Sequence, residues 1–256
     1  MKKVVYLTFD IEPFWVNIPV RHSKDDWETI HDASLERFHE ILSICDEVQV
    51  KATFFFVAEW ARLNPGAVTM ALSKGHTIGS HSMFHDDMTT LDDQAVLEDM
   101  VRSKETLEGI SNIKVKHYRA PSFSLLPKQF RLLSLAGYEV DSSSTSAGRI
   151  RGGDNFDGTL AGNALKYVTL TGFRIFSKEF TILGGGYLRL VPPILLRFAT
   201  RWDLGNMIYL HPIDFETAVA RYPFLSFSEN LRKRIRIGSM RKKIHILSKA
   251  YELNPM

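Results

Sequence analysis

Residues 52–58 read ATFFFVA, an unbroken run of apolar, β-branched and aromatic side chains. A strand with one wet face alternates polar and apolar residues, whereas a run like this is buried on both faces, as strands of a parallel sheet are. It belongs to an apolar segment over 48–57, and residues 4–9 (VVYLTF) repeat its character. Between the two, residues 34–45 (SLERFHEILSIC) set Leu35, Phe38, Ile41, Leu42 and Cys45 at helical spacing, with Asp32 or Ser34 available as N-cap. Strand, helix, strand is the unit from which parallel sheets are assembled.

The alternation continues along the chain. The pattern predicts a helix over 65–74, a short strand over 76–80 behind Gly75, and an amphipathic helix over 92–107. A strand end at 118–120, a helix over 129–136 stopped by Gly137 and a strand over 138–142 follow. The Gly- and polar-rich segment 146–157 (SAGRIRGGDNFD) predicts a long loop across the top of the fold. Residues 182–190 (ILGGGYLRL) carry three successive glycines, 191–200 read as helix and 207–210 (MIYL) as the last strand, and a basic helical tail over 228–251 closes the chain. Repeated βα units predict an α/β fold with a largely parallel sheet, closed or partly closed as a barrel. One domain over 1–256 is expected, with 222–256 as a basic helical extension.

Composition narrows the chemistry. A hydrophobic fraction of 45% and a charged fraction of 24% are those of an ordinary globular protein. A net charge of +3, without aromatic residues interleaved among basic ones, argues against a nucleic-acid partner. The single cysteine, Cys45, excludes an intrachain disulfide framework and a multi-cysteine zinc site, so histidines and carboxylates must supply any metal ligands. The opening MKKVVYLTFD has too short an apolar run for a signal peptide and ends in Asp10. No uninterrupted apolar run reaches the ~18 residues of a membrane span. A cytoplasmic protein is expected, possible contact with the inner membrane face included.

Asp10 and Glu12 follow the first strand, where a parallel barrel presents its active-site residues, although two carboxylates in that place can also merely cap a loop. In GHTIGSHSMFHDDM, residues 75–88, His81 and His85 form an H-x-x-x-H pair whose imidazoles can share one side of a turn and one metal ion. No glutamate follows the first histidine, which sets the pair apart from H-E-x-x-H proteases. His211, held extended by Pro212 after the apolar strand MIYL, suits a general acid or a structural hydrogen bond. Arg119 in YRAPSF would be a buried arginine at a strand end, which requires a carboxylate partner, and Asp10 is available.

Five segments in order resemble the polysaccharide deacetylases, the NodB-homology or carbohydrate esterase 4 group. TFDIE at 8–12 resembles the first motif, ATFFFVAEWA at 52–61 the second buried strand, SHSMFH at 80–85 the histidine motif, RAPSF at 119–123 the arginine motif and YLHP at 209–212 the final histidine motif. YRAPSFS, GYEVDSS, GGGYLRLVP and YLHPIDFE are similar to the branch associated with exopolysaccharide and surface-glycan biosynthesis. The resemblance implies a distorted (β/α) barrel of fewer than eight complete units. It also implies a divalent metal, zinc first with cobalt or nickel as alternatives, and hydrolysis of an N-acetyl group on an amino sugar, free or lipid-linked.

Under that resemblance Asp10 is the base, His211 the acid, and Arg119 holds Asp10 ionised. The commoner first motif has adjacent aspartates, whereas Ile11 follows Asp10 here and cannot bind metal. Glu12, with one more methylene, is expected to join His81 and His85 as ligand, and Asp10 is the alternative. Asp141 is the first choice to pair with His211, Asp214 the second. Pro121, Phe123, Tyr187 and Arg189 are assigned to the substrate cleft. The tail's Arg232, Lys233, Arg234, Arg236, Arg241, Lys242 and Lys243 read first as a solvated face and second as a contact for an anionic membrane. A deformylase or other amide hydrolase of the same fold, or a degenerate glycan binder, is the alternative function.

Overall fold

Val4–Ile11 forms β1, and its period of two sorts the strand into two environments. Val5, Leu7, Phe9 and Ile11 are fully buried in the main core, while Thr8 and Asp10 face the other way, toward Arg119. This computed structural model describes residues 2–13, 34–145, 165–175, 178–215, 235 and 239–256.

Helix α1 (Ser34–Glu47) buries Phe38, Ile41, Leu42 and Cys45 against β2 (Thr53–Phe56), with the Phe38 ring 5.7 Å from Phe54 and 6.0 Å from Phe56. The strand expected from residue 48 begins at 53. The Val48 and Val50 N–H groups bond back to the Ile44 and Cys45 carbonyls, and Gln49 turns left-handed (φ 55°), so these residues finish the helix. Helices α2 (Ala58–Leu63) and α3 (Pro65–Ser73) lead to β3 (Thr77–Ser80). Helix α4 (Asp93–Ser111) follows, capped by the Asp92 side chain, which accepts from the Ala95 N–H.

The chain continues through β4 (His117–Tyr118), α5 (Phe130–Leu135), β5 (Val140–Asp141) and β6 (Lys166–Tyr167). An antiparallel pair, β7 (Phe173–Ile175) and β8 (Lys178–Phe180), precedes α6 (Gly185–Leu188), α7 (Pro193–Ala199) and β9 (Met207–Leu210). Helix α8 (Met240–Ala250) and β10 (Glu252–Asn254) complete the described chain. The sequence pattern does not announce α2, α6, β6, β7, β8 or β10. The loop expected over 146–157 and the tail residues Arg232, Lys233, Arg234 and Arg236 lie outside the described residues.

The main sheet has eight strands in the order β10, β1, β2, β3, β4, β5, β6, with β9 also on β1. Every pairing in it is parallel. β1 is central: β10 pairs with Val4–Tyr6, β9 with Tyr6–Phe9 and β2 with Thr8–Ile11. Among the described residues no ladder joins β6 to β9, so the barrel is incomplete. At that seam the Asn206 side chain donates to the Thr169 carbonyl (2.8 Å) and accepts from the Thr171 N–H (2.9 Å).

Where it is described, the basic tail is tied to the fold. Arg241 pairs with Glu47. Lys243 is fully buried and donates to the Leu188 and Arg189 carbonyls (2.6 and 3.1 Å), capping the C-terminal end of α6. Lys242 alone of these three is exposed. No helix among the described residues is long and apolar enough to cross a membrane.

Candidate active site

The parallel sheet brings the ends of β1, β3, β4 and β9 together, and the singled-out side chains stand there. Asp10 and Glu12 are two residues apart and both buried, with Ile11 between them turned into the core. Glu12 Oε2 lies 2.8 Å from His85 Nε2 and 3.7 Å from His81 Nε2. One ligand atom from each of Glu12, His81 and His85 falls within 4.8 Å of the others. Burial would raise the Glu12 carboxyl, but the facing His85, His211 and His81 hold it well below the ordinary carboxylate value.

The histidine loop owes its shape to its backbone. Ser82 and His85 adopt left-handed conformations (φ 68° and 63°), which cost a non-glycine residue about 1–2 kcal/mol. The His85 N–H donates to Ser82 Oγ (2.9 Å), and the Met83 N–H to the Asp99 carboxylate on α4 (3.1 Å). At the start of α2, the Ala58 and Glu59 N–H groups, which have no partner within their own helix, donate to the Ser82 and Met83 carbonyls at 3.0 Å. His81 Nδ1 donates to the Arg119 carbonyl (2.8 Å), which leaves Nε2 with a free electron pair aimed toward Glu12. Two imidazoles, one of them oriented by the Arg119 carbonyl, and one carboxylate fit a borderline divalent cation such as zinc, cobalt or nickel.

The Arg119 side chain occupies the barrel interior beneath this cluster, fully buried. It donates to Asp10 Oδ1 (2.6 Å), Thr8 Oγ1 (3.0 Å) and Ser142 Oγ (2.9 Å), and its guanidinium carbon lies 4.2 Å from the centre of the Phe55 ring. One residue therefore orients a candidate ligand through its carbonyl and a candidate base through its side chain. Asp10 Oδ2 is 3.8 Å from His211 Nε2.

The carboxylate that meets His211 is Asp214. Its Oδ2 accepts from the His211 N–H (2.9 Å) and lies 3.3 Å from Nδ1, within the short 3-10 turn Pro212–Phe215. Asp141, the first choice, is instead engaged by Ser143, whose Oγ and N–H donate to it at 2.6 and 3.1 Å. Burial pushes the Asp141 carboxyl up to about 6, against those two bonds and the Arg119 charge. On His211 burial acts downward, but Glu12, Asp214 and Asp10 outweigh it and lift the imidazole to about 9. Arg189 Nε stands 3.2 Å from Asp214 Oδ1, so Arg189, assigned to the cleft from the sequence, braces the carboxylate that meets His211. Gly185 packs so closely that a Cβ there would overlap the Asp214 carboxylate.

Of the remaining cleft candidates, Pro121 is buried and Tyr187 exposed. Phe123 sits in a left-handed conformation (φ 56°) with its ring edge-on to Tyr209, centroids 5.4 Å apart. Ser82, Asp99, Ser142 and Ser143 were not singled out from the sequence. They are short polar residues holding backbone or side-chain groups of the site, and nothing in their spacing distinguishes them from loop residues.

The incomplete parallel barrel thus carries a His, His, carboxylate cluster with a separate carboxylate and histidine beside it. Residues 1–140 match the polysaccharide deacetylase family, and the chain belongs to that family. Residues 154–256 match DUF3473, a domain of unknown function. The Bacillus subtilis protein YlxY is 35% identical over 89 residues, which is 35% of this chain and 28% of that protein. The peptidoglycan-N-acetylglucosamine deacetylase of Bacillus cereus is 28% identical over 97 residues, 38% of this chain and 35% of that one. The matched stretches thus span about a third of each relative's length. Among solved structures, a family 4 carbohydrate esterase from Streptomyces lividans superposes with a TM-score of 0.54 at 16% identity, covering 99% of this chain and 91% of that one. A CE4 family pseudoenzyme from Bacillus anthracis gives 0.56 at 16% identity, covering 100% and 64%. Both likenesses bear out the parallel, incomplete barrel.

Proposed function

We propose that the protein is a metal-dependent N-deacetylase of an amino sugar, acting in the biosynthesis of a surface polysaccharide or a lipid-linked glycan. The observation that carries this reading is the grouping of Glu12, His81 and His85 within 4.8 Å, with Asp10 and His211 facing each other beside it. Residues 1–256 are taken as one catalytic unit, because the metal-side residues come from the first matched segment and Arg189, His211 and Asp214 from the second. The likeness of GYEVDSS, GGGYLRLVP and YLHPIDFE to the surface-glycan branch supports that choice of pathway.

Glu12, His81 and His85 would hold the cation. A divalent cation bound there would polarise the amide carbonyl and make the attacking water more acidic. Asp10, with Oδ1 tied to Arg119, takes the proton from that water at Oδ2. His211, kept protonated by Asp214 and the nearby carboxylates, gives its Nε2 proton to the departing amine nitrogen. The measurement that tests the reading is release of acetate from N-acetylated amino sugars after loading with zinc, cobalt or nickel. Formate from N-formyl sugars in place of acetate would make it a deformylase. Failure to retain any of the three metals, with no acyl release, would make it a glycan-binding relative.

A further inference from the structure

Among the described residues, the large hydrophobic side chains left exposed are unevenly distributed. Val4, Ile113 and Leu135 are scattered, while Tyr187, Leu190, Ile194, Leu195, Phe198 and Trp202 all fall within one stretch and are 43–61% exposed. The stretch runs from α6 through α7 to the turn after it. Its inward side is already satisfied, since Leu188 and Leu196 are fully buried. The outward residues are thus not part of the core, and a contiguous apolar surface of this kind marks an interaction face. Leu190, Ile194, Phe198 and Trp202 recur at four-residue intervals, with Arg197 and Arg201 exposed among them. Arg201 stands over the Phe198 ring, 5.5 Å from its centre, so charge and ring share one face. Residues 182–202 contain three arginines, of which Arg189 faces Asp214, and no aspartate or glutamate; Asp203, next along, is paired with Lys3.

We propose that this α6–α7 surface docks on an anionic lipid bilayer, with its aliphatic and aromatic side chains at the acyl boundary and Arg197 and Arg201 on the headgroups. The charge selects this occupant. A second copy of the chain in a two-fold contact would set the same arginines against one another. A carbohydrate would find ring faces at Tyr187, Phe198 and Trp202 but no use for Leu190, Ile194 and Leu195. An anionic bilayer accommodates both kinds of side chain, and an exposed tryptophan suits the interface between them. The face begins two residues before Arg189, which touches Asp214, so docking would present the acid side of the pocket to the membrane. The proposal does not depend on turnover, and acetate release from a soluble substrate is tested separately.

The test is flotation of the full chain with vesicles of phosphatidylcholine alone or mixed with phosphatidylglycerol. Binding is expected to the mixed vesicles and to weaken as salt is raised. Arg197→Gln with Arg201→Gln should weaken it roughly thirtyfold, since each arginine near an anionic surface contributes about fivefold. Phe198→Ser with Trp202→Ser should weaken it by about tenfold or more. Ile113→Ser with Leu135→Ser, on other surfaces, should leave it unchanged, and circular dichroism should show all three variants folded. Absence of binding to anionic vesicles, or equal binding by wild type and both α7 variants, overturns the proposal. So does a concentration-dependent dimer that disappears in the Phe198/Trp202 variant, which would assign the face to a second copy.

Discussion

Ile11 is the residue on which the first motif turns. In an extended strand only alternate side chains share a face, so a ligand two residues beyond Asp10 looks the same way as Asp10, and the residue between them can be surrendered to the core. Replacing His81 and His85 together by alanine should abolish metal retention, measured by elemental analysis after dialysis. Asp10→Asn should keep the metal and lose turnover. His211→Ala should lower kcat about a hundred- to ten-thousand-fold with metal content unchanged. The pH dependence follows from the direction of the shift. In the metal-free protein His211 is lifted from 6.5 to about 9, by Glu12 first and then by Asp214 and Asp10, so the stability that its charged form contributes is fully present below 6.5 and is lost as pH rises through about 9. Asp214→Asn removes one of the charges responsible and should move the alkaline limb of the rate profile to lower pH, whereas a merely structural Asp214 would leave that limb in place. The grouping of Asp10, Glu12, His81, His85, Arg119 and His211 was legible because five motifs stand in the order of the family the sequence resembles; taken singly, a carboxylate or histidine after a strand reads equally well as a cap or a structural hydrogen bond. The choice between Asp141 and Asp214 was not. It is decided by the tight turn at Pro212–Phe215, which folds Asp214 back onto the histidine three residues before it.

Two glycines tie whole elements to this chemistry. Gly185 at the start of α6 leaves room for the Asp214 carboxylate, so Gly185→Ala should displace Asp214 and depress kcat in the same direction as Asp214→Asn, with little change in metal content. Gly79 in β3 would place a Cβ 2.7 Å from the Phe55 ring and 2.9 Å from His117 Cβ, and Phe55 is the ring beneath Arg119. Gly79→Ala should therefore cost about 1–3 kcal/mol of stability, read from urea unfolding, by overpacking the barrel interior. The elements legible in the sequence were those with periodic or unbroken apolar patterns, β1, α1, β2, α3, α4, α7 and β9, and those set off by a glycine or a motif, β3, β4, α5 and β5, while the tail helix is shorter where it is described, Met240–Ala250. Helix α2 was missed because residues 58–63 (AEWARL) directly continue the apolar run of β2, and a short helix there has no cap residue to announce it. Its first N–H groups nonetheless support the histidine loop. β6 and β10 span two and three residues, too few for alternation to register.

Across the whole molecule, the two matched segments contribute different parts of one pocket, and the sheet that carries them does not close. A ladder of backbone bonds would make a rigid hoop. A side-chain carboxamide makes a clasp, and Asn206 is that carboxamide between the 169–171 segment and β9, beside the packing of Leu170 with Met207. Asn206→Asp would set an oxygen against the Thr169 carbonyl in place of a donor, and should cost about 1–3 kcal/mol in chemical denaturation. The larger effect should be local: backbone amides of 169–171 and of β9 should exchange with deuterium sooner in the variant, while those of β1 and β2 keep their wild-type rates. β9 bears the clasp just before its first residue and His211 just after its last, so Asn206→Asp should also lower kcat, measured beside the exchange rates. Where the ladder is missing, the wall is held by side chains instead: the Asn206 amide and the packing of Val168 and Leu170 against Met207.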